Sequence, residues 1–95
     1  MLRYFAAVFV RVVHRIGWDL EVVGAEGQID KSNFADRQGA LGRARDLQPD
    51  WIEVGEVVPA AGDVPQHHSW TTLRRQRDGS YQPSALNWAG DPRGH

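Results

Sequence analysis

The chain has 95 residues, 11 basic and 12 acidic side chains, a net charge of -1 and no cysteine. That length fits one domain with one modest core, since a chain this small buries only about 60–65% of its unfolded surface. The missing cysteines exclude a disulfide scaffold, a zinc ribbon and a thiol nucleophile, and the balanced charge excludes a strong global field for nucleic acid or anionic membrane. Every basic residue but Lys31 is arginine.

Val8 to His14 is dense in β-branched residues and reads as a strand with apolar side chains on both faces. Its uncharged run from Tyr4 to Val10 falls far short of the ~20 residues a spanning helix needs. With Arg11 and Arg15 close behind, it also makes a poor signal peptide, so a cytoplasmic protein is expected. Gly17 makes a turn into a second strand, in which Trp18, Leu20 and Val22 alternate with Asp19 and Glu21. Gly24 to Gly27 is a loop, and Gln28 to Lys31 adds a short third strand around Ile29.

Asp36 stands as an N-cap before the one helix, whose apolar stripe is Ala40, Ala44 and Leu47 with Leu41 on the flank. Gly39 and Gly42 each cost that helix about 1 kcal/mol relative to alanine, so it depends on docking to a sheet. Gln48-Pro49-Asp50 ends it. Trp51 to Val58 is a further strand, in which Gly55 suggests a bulge. Pro59 to Pro65 is a loop, Ser69 to Arg77 a polar strand, and Asp78-Gly79 a hairpin turn into Ser80 to Gln82. The expected architecture is α+β, an antiparallel sheet of four to six strands with one helix packed on one face. Residues 1–88 form its single domain and 89–95 a flexible tail.

The succession of a valine-rich strand, the Trp18-Asp19-Leu20-Glu21-Val22 strand, Phe34-Ala35-Asp36, the Ala40 to Ala44 helix and Asp78-Gly79 resembles a small prokaryotic family of unknown function. The resemblance spans about Val8 to Tyr81 and departs from that family in the long Trp51 to Trp70 segment. The chain is also similar to the HicB-type antitoxin fold, which docks one helix on a small antiparallel sheet. These resemblances imply a fold and not an activity.

Candidate chemistry is sparse. His14, His67, His68 and His95 have spacings that suit zinc poorly, because neighbours on a strand point to opposite faces. Asp63, His67, His68 and Ser69 crowd the types a hydrolase uses, yet no nucleophile-elbow motif accompanies them. Glu53 with Glu56, and Asp19 with Glu21, are available as paired carboxylates; the latter pair shares a strand face that reads as a solvated sheet surface. No catalytic residue, metal or cofactor is expected. The one basic cluster is Arg74, Arg75 and Arg77, with Trp70 upstream and Tyr81 downstream, which could hold phosphates and stack bases. The expected function is therefore a non-catalytic binding or protein-interaction domain, whose partner is a second copy in a homodimer or another protein. The expected self-association runs through the N-terminal strand or Trp51 to Val58. The alternative is a nucleic-acid-binding or antitoxin-like module using the arginine hairpin.

Overall fold

The computed structural model describes residues 7–84. Six strands and one helix follow in the order β1 (Ala7–Arg15), β2 (Gly17–Gly24), β3 (Ile29–Phe34), α1 (Arg37–Asp46), β4 (Trp51–Val58), β5 (His67–Arg75) and β6 (Tyr81–Pro83). The expected tail at 89–95 and His95 lie outside the described residues.

All six strands join one sheet in the order β3-β2-β1-β4-β5-β6. The expectation of a purely antiparallel sheet is corrected at one place: β4 pairs with β1 in parallel, Val10 beside Ile52 and Val12 beside Val54. The cause is the helix. β1, β2 and β3 form a meander, so β3 runs the same way as β1; α1 then carries the chain back across the sheet, and β4 starts out in that same direction.

Local chemistry sets the turns. Gly17 has φ 74, and a Cβ there would meet the Phe34 carbonyl at 2.8 Å. The Asp78-Gly79 turn is closed by Gln76 N–H donating to Ser80 O at 2.7 Å, while Asp78 accepts from the Ser80 amide and hydroxyl. Those bonds hold the Asp78 carboxyl below its ordinary pKa. Asp36 caps α1 as expected, its Oδ1 accepting from Gly39 N–H at 2.7 Å. At the other end Gln48 takes φ 50, and its amide donates to the Arg45 carbonyl.

Gly55 has a different purpose from the bulge expected of it. β4 stays in regular register with both neighbours through Gly55, and the one register shift of β1 lies between Ala7 and Phe9. The Trp70 ring lies against the Gly55 backbone, so a Cβ there would stand 2.5 Å from the indole. The absent side chain makes room for the ring.

The core forms where Val10, Val12, Leu20, Val22, Ile52 and Val54 cluster with Ala40, Leu41 and Ala44 of α1. Trp18, Phe34 and Leu47 are half-buried at its margin. By strand alternation these sheet residues share one face, and α1 contacts β1, β2 and β3. The opposite face also buries Phe9, Val13 and Glu53, none more than 1% exposed. β1 and β4 are inner strands paired on both sides. No helix among the described residues is long and apolar enough to cross a membrane.

Candidate functional site

The sequence-expected sites are dispersed by the sheet. Arg74 and Trp70 alternate onto the face opposite α1, whereas Arg75 and Tyr81 pair on the α1 face. Arg74 stacks its guanidinium 5.3 Å from the Trp51 ring centroid. Arg75 donates to the Gln48 carbonyl and meets Asp50 at 3.0 Å. Tyr81 donates its hydroxyl to the Pro49 carbonyl at 2.6 Å, and burial raises its pKa above the ordinary value. Arg77 lies beyond the end of β5. The five residues therefore form no single surface.

The histidines are likewise held by local structure. His67 Nδ1 lies 3.0 Å from the Pro65 carbonyl, and His68 Nε2 lies 2.8 Å from the His14 carbonyl. His14 stacks on Trp18 and His68 on Trp70. Among the described residues, no three His, Asp or Glu side chains gather to hold a metal ion.

A different feature stands out, which the sequence reading passed over as a short strand: the open edge of the sheet at β3. Every residue from Ile29 to Asn33 is exposed, Ile29 by 58%. Gly24 N–H donates to Gln28 O at 2.9 Å, which fixes the phase of the β2–β3 ladder. In an antiparallel pair, bonded and non-bonded pairs alternate, so Asp30, Ser32 and Phe34 bond inward to β2. The amides and carbonyls of Ile29, Lys31 and Asn33 then point outward from the sheet. The other edge, β6, is three residues long and ends on Pro83, which has no N–H.

Depressions flank β3 on both faces. On the α1 face a groove of about 310 Å³ has Leu20, Val22, Phe34 and Leu47 as its apolar lining and Asp30, Ser32 and Arg43 as its polar one. Arg43 near the C-terminal end of α1 and its capping residue Leu47 wall it on the helix side. On the opposite face a second depression of about 300 Å³ is polar, lined by Arg15, Asp19, Glu21, Lys31, Ser32 and Asn33.

That polar face has an ordered charge pattern. Register brings Lys31, Glu21, Arg11 and Glu53 into one row across β3, β2, β1 and β4. Signs alternate along the row. Arg11 Nε meets Glu53 Oε1 at 3.0 Å, with Glu53 almost fully buried, and Lys31 Nζ lies 3.6 Å from Glu21 Oε2. Beside it, Asp19 accepts from Asn33 at 2.8 Å and from Arg15 at 3.0 Å. These bonds, the Asn33 one foremost, hold the Asp19 carboxyl below its ordinary pKa. No buried side-chain polar atom among the described residues lacks a hydrogen-bond partner.

The signal that would have found this edge is in the sequence. Ile29 to Asn33 has one exposed apolar residue among polar ones, too little to bury a second face. A polar strand closing a meander belongs at the margin of its sheet. In comparisons with known proteins the chain matches no family model, no curated protein and no solved structure.

Proposed function

We propose that the chain is a non-catalytic protein-interaction domain that receives an extended segment of a partner at the β3 edge. The observation that carries this reading is the open six-residue edge flanked by depressions on both faces. An added strand would satisfy the outward amides and carbonyls of Ile29, Lys31 and Asn33, with side-chain pockets on either side for selectivity. In this reading the groove beside β3, walled on the helix side by Arg43 and Leu47, receives partner side chains. The candidate catalytic groups support the same conclusion. His67 and His68 are tied to backbone carbonyls, and the shifted carboxyls of Asp19 and Asp78 are explained by local hydrogen bonds.

Selection from a displayed random-peptide library tests the reading. Peptides enriched on the wild-type domain are expected to lose binding to an Ile29→Pro variant, which loses one outward N–H and keeps the inward ladder. Enrichment of nothing, or of peptides that bind Ile29→Pro equally well, refutes strand addition at β3.

The arginine hairpin supports a second reading, nucleic-acid binding, through the pairing of Arg74 with Trp51 and of Arg11 with Trp70 on one face. It is the weaker, because Arg75 is neutralised by Asp50 and the three arginines straddle both faces and a turn. Fluorescence anisotropy with oligonucleotides at low salt is expected to give identical curves for wild type and Arg74→Ala/Arg75→Ala/Arg77→Ala. Binding lost in the variant would favour nucleic acid.

A further inference from the structure

The row Glu53, Arg11, Glu21, Lys31 alternates in sign across four strands and stops, at the sheet edge, on a cation. Lys31 is 71% exposed at its side chain and holds Glu21 only at 3.6 Å. Its backbone is one of those pointing outward, so an incoming residue opposite Lys31 would exchange both main-chain bonds with it. An anionic side chain at that position continues the alternation; a cationic one ends it in repulsion. On the α1 face, the incoming residue opposite Ser32 has only that small side chain between itself and the groove floor of Leu20 and Val22.

From this geometry we infer that the partner is a foreign antiparallel strand with an acidic residue opposite Lys31, preceded by an apolar residue opposite Ser32. The inference rests on the strand-addition reading and adds what the strand must contain. Read in its own chain direction, the segment has a polar residue opposite Asn33, an apolar one in the groove and an acid at Lys31. A cation or polar residue opposite Asp30 and a β-branched one beside the exposed Ile29 complete it. The antiparallel sense continues the meander of β1 to β3.

A second copy of this chain fits the edge less well. Residues opposite each other in a continuous sheet share a face, and Asp30 and Lys31 lie on opposite faces. A two-fold β3–β3 pairing therefore sets Lys31 against the second copy's Lys31, Asn33 or Ile29, and never against its Asp30. The charges on this edge reject unselective strand pairing and, by the same physics, select for an acid.

The test uses two short fluorescent peptides. One has the core threonine–leucine–glutamate–lysine–valine; in the other, lysine replaces the glutamate. Wild type is expected to prefer the glutamate peptide by about five- to tenfold, and Lys31→Glu to reverse that order. N-methylation of the glutamate amide removes the bond to the Lys31 carbonyl and is expected to abolish binding without altering the protein. An unreversed order in Lys31→Glu, with binding still lost on N-methylation, overturns the acid rule and leaves strand addition standing. Binding that survives N-methylation, or no binding by either peptide, overturns both. A dimer by sedimentation that Ile29→Pro dissociates gives the edge to a second copy and overturns the inference.

Discussion

The two faces of the sheet bury similar positions with different chemistry. On the α1 side, Val10, Val12, Leu20, Val22, Ile52 and Val54 meet Ala40, Leu41 and Ala44, all apolar. On the other side, Phe9 and Val13 are as deeply buried, yet the residue between them is Arg11 and its parallel neighbour is Glu53, 1% exposed. The Arg11 guanidinium lies 5.7 Å from the centroids of both Phe9 and Trp70. The apolar surplus of β1 had suggested a surface for a second copy. Within its own chain β1 is a central strand, with Val10 and Val12 buried on one face and Phe9 and Val13 on the other.

Charging the apolar side is expected to cost the most stability. Ala44 is fully buried under the helix, and Ala44→Asp places an unpaired carboxylate there. The expected loss is about 4 kcal/mol or a failure to fold. Asp46→Ala, on the exposed side of α1, is expected to change stability by less than about 0.5 kcal/mol. Urea melts of the two variants check the helix phase, and equal midpoints would contradict it.

The polar side responds to charge in the opposite sense. Arg11→Met removes the ion pair to a buried carboxylate and is expected to cost about 3 kcal/mol. Adding Glu53→Leu to that variant is expected to restore most of the loss, since a packed apolar pair can replace a buried ionic one. A double-mutant cycle by denaturant unfolding measures the coupling. Additive losses would mean that Arg11 and Glu53 act independently.

Much of this fold was legible because its apolar face follows simple periods. Alternation in Trp18 to Val22 and the Ala40, Ala44, Leu47 stripe placed β2 and α1, and the Asp36 cap and Asp78-Gly79 turn are chemical signals with one geometric meaning. Partnership between strands was not legible. Nothing in Trp51 to Val58 records that its neighbour is β1 and that the two run parallel, because that follows from where α1 returns the chain. Gly55 reads as a bulge until Trp70, fifteen residues away by register pairing and not by period, is laid across it. The candidate site was hidden for a related reason. An edge is a property of strand order, and β3 becomes one only when β1 takes β4 on its other side.

The mildest expected difference between the faces is in their response to acid. Asp19 lies on the polar side, with Asn33 and then Arg15 lowering its pKa below the ordinary 3.8. A carboxyl whose folded pKa is depressed adds stability above its unfolded value, and that stability fades as pH falls through the folded value. Asn33→Ala removes the foremost of these bonds, so its cost is expected to be largest at neutral pH and to shrink once Asp19 is protonated. At a site this open to solvent the pH-dependent part stays below about 1 kcal/mol. The Asn33 bond to the Ile16 carbonyl, at 3.0 Å, has no charge to lose and leaves a residual cost at every pH. Leu41→Ala, on the α1 side, removes only apolar contacts and is expected to cost the same at pH 7 as below 3.8. Melts of the three proteins across that range decide it: a constant gap for Asn33→Ala would show that its bond to Asp19 does not depend on the carboxylate charge.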